Sequence, residues 1–474
     1  MAQRFGHLLG VVRAFAFASG AQPSIVKRQF ASNANRERWL LMTDTSHFFA
    51  HRSFYTWDHS TNWDLSRPGQ RISGCFETYE KPPEAFLEDY TRLIDFMSQT
   101  GMNHLIIWGA LRDSHGGVDA LRNLIELGRQ KGVRVAPGVG VNSYGGVYWE
   151  GDHEFNLNRF LLRRPELAAL GADGKPMLDR KHRRRTVACP RHPEVNAWHR
   201  AAIRWLMEEL SPQAIHFETG DYGVCRCERC RQANMRDAPA SDADLACALP
   251  PLVEEVRRYS HDCLLSYNHY DGYTRRMSAN PPTFVTAIPD DVVCKWGVSW
   301  MLDPDIQSEF KAEWSDAESM DPSFAPPTKE SMAHLHFATG WWNCSPRGTL
   351  EIERFFRAFP LLAKVGFTGV CTHGEESELN PSAELNYHVF SALAENPYAV
   401  PSEIARRSVA DLLGNVALAT DVLMAYAEAE LPADLPPRVA RAAKRARGRQ
   451  KVRLNWLTFE LHRYEDVLRR RSMG

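Results

Sequence analysis

Residues 198–218 read Trp198-His-Arg-Ala-Ala-Ile-Arg-Trp-Leu-Met-Glu-Glu-Leu-Ser-Pro-Gln-Ala-Ile-His-Phe-Glu218. Trp198, Ala202, Trp205 and Leu206 recur at spacings of three and four, which puts apolar groups on one helical face. Ser-Pro ends that pattern, and a short apolar run at 214–217 then predicts a buried strand that finishes on an acid, Glu218. This helix-then-strand unit repeats along the chain. Candidate strands lie at 39–43, 105–108, 133–139, 214–217, 263–267, 292–296, 334–338 and 369–372, with amphipathic stretches between them such as Phe86, Tyr90, Leu93 and Met97. Eight βα units predict an α/β fold, a (β/α)8 TIM barrel with long βα loops. The competing doubly wound open sheet would carry a glycine-rich turn after its first strand, and none follows Thr43.

The 474 residues divide into three expected parts: an N-terminal tail or weak signal segment at 1–36, a catalytic barrel at 37–396 and a helical region at 397–474. The first part carries Arg4, Arg13, Lys27, Arg28 and Arg36 without an acid, and Arg13 interrupts what would be a secretory core. The compartment, cytoplasmic or periplasmic and secreted, is left open. Long insertions are expected at 142–185 and 273–333, on the face where βα loops gather. From Pro401 a long helix is expected through Glu430. A further helix then carries Leu454, Leu457, Leu461, Tyr464 and Leu468. The basic run ahead of it, Arg438 to Arg453, reads either as a solvated helix packed on its neighbour or as a surface for an anionic partner.

A formal net charge of -1 argues against a nucleic-acid or membrane-surface binder, because both partners need a basic field. No run of about 18 apolar residues occurs, so no membrane-spanning helix is expected. A small-molecule substrate fits better, and a homodimer is compatible with this composition.

In a TIM barrel, chemistry comes from the C-terminal ends of the strands. Those ends offer Asp44, Trp108, Asn142, Glu218 with Asp221, Asn268 with Tyr270 and Asp271, Trp341 with Trp342, and His373 with Glu375. The set is rich in carboxylates and aromatics, as cleavage of a glycosidic bond requires: two carboxyl groups flank the bond and aromatic faces stack on the sugar. Glu218 is the expected general acid, since burial raises a carboxyl's pKa. Asp221 or Glu375 is the expected base or nucleophile. A separation of about 5 Å would imply retention and about 6.5–9.5 Å inversion.

Arg180, Lys181, Arg183, Arg184, Arg185 and Arg191, with His192, form a basic loop. Guanidinium groups pair with carboxylates, so the loop fits either an acidic sugar or ordinary balance with neighbouring acids. Cys225, Cys227 and Cys230 make a C-x-C-x-x-C cluster. It could hold a structural zinc with Cys247 or a histidine as fourth ligand, or form one disulfide with a thiol left over. No cofactor is required for the expected chemistry. His334-Leu-His336 has metal-ligand spacing but is expected at the start of the seventh strand, as a packed core pair away from the catalytic face.

Two segments carry a family resemblance. Glu218-Thr-Gly-Asp-Tyr-Gly-Val-Cys-Arg-Cys-Glu-Arg-Cys230 resembles the fourth-strand segment of TIM-barrel glycoside hydrolases around the α-glucuronidases and β-hexosaminidases. Ala383-Glu-Leu-Asn-Tyr-His-Val-Phe-Ser-Ala-Leu-Ala-Glu-Asn-Pro397 resembles the end of their barrels. The resemblance implies that Glu218 stands where α-glucuronidases keep their general acid. The residue before it is Phe217 rather than the Asp of the hexosaminidase Asp-Glu pair, which argues against a substrate-assisted acetamido mechanism. Inverting sialidases share a similar barrel, and under that likeness His192 and the arginines would matter more. The reading is therefore a glycosidase for a terminal sugar, uronic or sialic acids included. The alternatives are a non-catalytic carbohydrate-binding barrel and a metal-dependent hydrolase.

Overall fold

A computed structural model describes residues 47–58, 60–63, 81–177, 187–219, 225–233, 240–269, 283–298, 326, 328–335 and 350–473. The chain divides into two units, Met1–His47 and Phe48–Gly474. Of the first, only His47 is described; the barrel and the helices that follow it form the second.

The strands are β1 (His51–Trp57), β2 (His104–Trp108), β3 (Arg134–Gly140), β4 (Ala214–Glu218), β5 (Leu264–His269), β6 (Val292–Gly297), β7 (Ser331–Leu335) and β8 (Gly369–His373). They pair in parallel in chain order and close β8 onto β1, giving the expected (β/α)8 barrel. Tyr55 stands opposite Ile106 on one side and His373 on the other, so β1 locks the closure.

Two expected strands are displaced. The strand that opens the barrel is His51–Trp57, whereas residues 39–43 lie outside the described residues. Its side chains alternate: Tyr55 and Trp57 join the cluster inside the barrel, and Phe54 packs outward under the helices. A strand with polar and aromatic groups facing inward lacks the continuous apolar run expected of a parallel strand. The seventh strand is Ser331–Leu335, three residues earlier than expected, so His334 sits near its C-terminal end rather than at its start.

Helices wrap the barrel. α1 (Pro83–Thr100) buries Phe86, Tyr90, Leu93 and Met97, the face expected from the spacing, and ends where Gly101 takes φ 77° and returns its N–H to Met97 O. α2 (Gly117–Lys131) follows β2. α3 (Pro193–Leu210) buries Ala202 and Leu206, with His192 capping its first turn by accepting from Glu194 N–H. α4 (Ala240–Arg257) carries Glu255, a buried carboxylate that takes hydrogen bonds from Arg200 and Arg204 of α3 and from Arg258.

Beyond α5 (Ile352–Val365) and α6 (Pro381–Glu395), the helix expected over 401–430 is broken. The segments Pro401–Leu413 and α7 (Val416–Ala427) meet at 116°, because Gly414 adopts φ 75° and the Asn415 side chain caps α7 through Leu418 N–H. α8 (Leu435–Arg445) and α9 (Gly448–Met473) complete this region. Part of the basic run is absorbed by acids. Arg438 pairs with Asp421, and Arg449 and Arg453 of α9 clasp the buried Glu384 of α6 at 2.9 and 2.6 Å. Among the described residues no single helix is long and apolar enough to cross a membrane.

One strand glycine shapes the barrel interior. A Cβ on Gly138 of β3 would lie 2.7 Å from the Trp108 indole, so glycine is what lets that ring lie against the strand. Gly138→Ala is expected to displace Trp108 and to destabilise the fold by about 1–3 kcal/mol. Chemical denaturation followed by tryptophan fluorescence measures both.

Candidate active site

Alternation along each strand turns Tyr55 and Trp57 (β1), Trp108 (β2), His216 and Glu218 (β4), Ser266 and Asn268 (β5), Lys295 (β6), His334 (β7) and His373 (β8) to the same side as the interior cluster of Ala214, Val293, Met332 and Cys371. An ordinary barrel interior is branched aliphatic. Here its upper part is charged and hydrogen-bonded.

Glu218, fully buried, is the centre of this network. The Tyr55 hydroxyl donates to its Oε2 at 3.2 Å, and His216 Nε2 lies 3.4 Å from the same oxygen. His216 Nδ1 is 2.8 Å from Ser266 Oγ. Burial, reinforced by the Lys295 charge, holds His216 well below its ordinary pKa, so the imidazole is neutral. A neutral ring that donates from Nε2 to Glu218 must accept at Nδ1 from the Ser266 hydroxyl. Lys295 Nζ sits 3.6 Å above the Tyr55 ring and donates to His334 Nδ1 at 3.1 Å. Burial lowers its pKa, and the charge of Glu218 pulls it back up.

The network continues to β8. The His373 ring stands edge-on to Tyr55 at 5.4 Å and beside His334 at 5.1 Å, and His373 Nδ1 is 3.7 Å from Glu375 Oε2. Burial pushes Glu375 up, but the adjacent His373 and hydrogen bonds from the Ser60 hydroxyl (2.6 Å) and Trp57 N–H (3.0 Å) outweigh it and leave the carboxyl below its ordinary value. Its Oε1 ties the end of β8 to the turn after β1.

An aromatic wall flanks this network. Trp57 stacks on Trp108 with centroids 5.4 Å apart, Trp149 stands edge-on to both, and Tyr144 stacks on Trp149 at 5.7 Å. Arg112 lies over Trp149 and binds Asp58 and Glu150, each at 2.5 Å.

The expected residues fall into three groups. Glu218, Trp108, Asn142, Asn268, His373 and Glu375 stand at the C-terminal ends of their strands or in the turns that follow them. Asp221, Tyr270, Asp271, Trp341 and Trp342 lie outside the described residues, as does Asp44. Asp44 also precedes the true β1, whose terminal acid is Asp58, so its expected place at a strand end is corrected. Arg191 and His192 make no hydrogen bond or ion pair with Glu218, His373 or Glu375 among the described residues, and His192 serves α3 as its cap.

Sequence reasoning passed over Tyr55, Asp58, Arg112, His216 and Lys295. A lysine inside Val-Val-Cys-Lys-Trp-Gly and a histidine inside Ala-Ile-His-Phe-Glu were the available signals, since a charge in a buried strand needs a partner. It also passed over a set of buried polar groups that have no hydrogen-bond partner among the described residues: Trp108 Nε1, both ends of the Asn142 amide, Ser143 Oγ and Thr219 Oγ1. They lie at the end of β2 and just after β3 and β4, and beside them Val141 N–H donates to Glu218 O at 2.7 Å. Asn142 holds the left-handed conformation, φ 64°, which asparagine tolerates better than most residues.

Cys225, Cys227 and Cys230 do converge, together with Cys189. The expected partner Cys247 instead turns its thiol to Asp244 O at 3.3 Å.

No protein-family model matches this chain, and no curated protein matches it. Among solved structures, an O-GlcNAc hydrolase variant from Thermobaculum terrenum is 11% identical with a TM-score of 0.47, covering 90% of this chain and 75% of that one. An α-amylase from Geobacillus thermoleovorans is 10% identical with a TM-score of 0.46, covering 74% and 80%. A family GH20 exo-β-N-acetylglucosaminidase from Vibrio harveyi is 12% identical with a TM-score of 0.43, covering 74% and 54%. At such identities and scores the likeness carries no argument about activity.

Buried neutral histidines make stability pH-dependent. Burial pushes His104 down to about 3 and His199 to about 4, and lowers His216 as well. The unfolded chain protonates these groups near their ordinary pKa of 6.5, so stability is full above that value. It is expected to fall as pH drops from 6.5 toward 3, by roughly 1.4 kcal/mol per pH unit for each such group. Denaturation between pH 7.5 and 5 checks this, and His104→Gln should flatten the slope.

Proposed function

We propose that the protein is a glycosidase that releases a terminal sugar, with Glu218 as the general acid. The observation that carries this reading is a fully buried carboxyl at the end of β4 whose Oε2 is oriented by the Tyr55 hydroxyl and His216. A carboxylic acid in that setting can protonate a glycosidic oxygen as the bond to the sugar breaks. Because Tyr55 and His216 occupy Oε2, the proton to be delivered is held on Oε1, and the carboxylate left after delivery is the charge that Lys295 balances.

Asp221, three residues on, is the second carboxylate in this reading. Glu375 fits that role less well, because its Oε1 is held by Ser60 and Trp57 N–H. The unpartnered amide and hydroxyl groups of Asn142, Ser143 and Thr219 would receive sugar hydroxyls. A neutral sugar suits the described residues better than an acidic one, since Lys295 and Arg112 already face carboxylates. An acidic sugar would have to be read by Arg191 or by the arginines of 180–185.

Product release from a panel of neutral glycosides, uronides and sialosides tests the reading. Glu218→Gln is expected to lower kcat by roughly two to four orders of magnitude without loss of fold. Thr219→Val should raise KM about three- to tenfold while leaving stability unchanged or slightly higher, because it removes an unpaired buried hydroxyl. Saturable glycan binding with no product, or full turnover in Glu218→Gln, overturns the assignment.

A further inference from the structure

Two insertions on the catalytic face of the barrel meet at sulfur. Cys189 ends the excursion after β3, just ahead of α3, and Cys225, Cys227 and Cys230 belong to the segment after β4. The four Sγ atoms lie within 4.8 Å of one another. Cys189 Sγ is 3.7 Å from Cys227 Sγ and 3.6 Å from Cys230 Sγ. A disulfide would need about 2.05 Å. The edge of a tetrahedron of sulfurs around zinc, with Zn–S near 2.3 Å, is about 3.8 Å. The spacing is therefore that of ligands around a common centre, not of bonded pairs.

We propose that Cys189, Cys225, Cys227 and Cys230 bind one zinc ion as a closed four-thiolate site. The surroundings fit a metal held by thiolates. Leu170 N–H points at Cys225 Sγ at 3.4 Å, the kind of backbone donor that stabilises sulfur charge, and Arg226 N–H donates to Leu170 O at 2.7 Å, which binds the two insertions by main chain as well. Cys189, Cys225 and Cys230 are buried in a small cluster with Ala169 and Val187, shielded from competing water. All four ligand positions are protein sulfurs, so no position is open for substrate or an activated water, and the site is structural. Binding releases the thiol protons and fixes Cys225–Cys230 against Cys189, just ahead of α3. The metal site does not depend on the glycosidase reading.

Metal analysis of the full-length protein, purified without a metal-affinity tag, is the test. About one zinc per chain is expected, with the four thiols protected from thiol reagents until the metal is removed. Cys189→Ser should lose most of the zinc, and Cys247→Ser should keep it. Because Cys189→Ser could fail to fold, the wild-type protein is also reconstituted with cobalt(II), whose visible spectrum should show the strong thiolate charge-transfer and d–d bands of a tetrahedral four-sulfur site. Metal-free protein with four reactive thiols, a disulfide within the cluster, iron in place of zinc, or zinc retained by Cys189→Ser would each overturn the proposal. Failure of the glycoside panel would leave the metal result standing.

Discussion

Closing eight parallel strands on themselves leaves an interior that side chains must fill completely, and in this protein the upper part of that interior contains a lysine, a glutamate and three histidines. Water is excluded, so each charge must be answered by its neighbours. Lys295 is tolerable because Glu218, His334 and the Tyr55 ring surround it. Glu218 in turn is held by Tyr55 and His216. Removing one member exposes the next, and the positions of β1, β4, β6, β7 and β8 are coupled through side chains as well as through the ladder.

The same constraint explains the two sides of the barrel mouth. On the β7–β8–β1 side, the carboxyl of Glu375 spends its hydrogen bonds on backbone and hydroxyl, so it acts as a clamp between strand ends. On the β2–β4 side, the aromatic wall is braced by Arg112 between Asp58 and Glu150, and the polar groups of Asn142, Ser143 and Thr219 are left without a partner among the described residues. Buried hydroxyl and amide groups of this kind cost roughly 1–3 kcal/mol each when unsatisfied. On the glycosidase proposal, that cost on one side of Glu218 is offset when a sugar's hydroxyl groups pair with these atoms.

The barrel was legible from periodicity because most of its strands are plain apolar runs and its helices bury one regular face. Reading failed where the interior is polar. His51–Trp57 opens on three hydrophilic residues and sets Thr56 among its aromatics, so the more apolar 39–43 stood in for it, and Asp44 took the place that belongs to Asp58. Glu218 was legible because an acid ending a buried strand breaks the pattern. Lys295 and His216 break it just as plainly, but their meaning depends on which strands close on each other, and only the fold supplies that. Cys189 was missed for the same reason: 36 positions in sequence separate it from Cys225, and no spacing rule spans an intervening helix and strand.

The clasp between Glu384 and the arginines of α9 bears on how the chain is made. Glu384 belongs to the helix that directly follows the last barrel strand, yet its countercharges, Arg449 and Arg453, are synthesised 65 and 69 residues later. A ribosome that has delivered all eight strands has still left this carboxylate uncompensated at a site the finished protein buries. Until α9 emerges, water rather than arginine solvates Glu384, so the burial of this carboxylate and the clasp between α6 and α9 form together, after the barrel strands have been made.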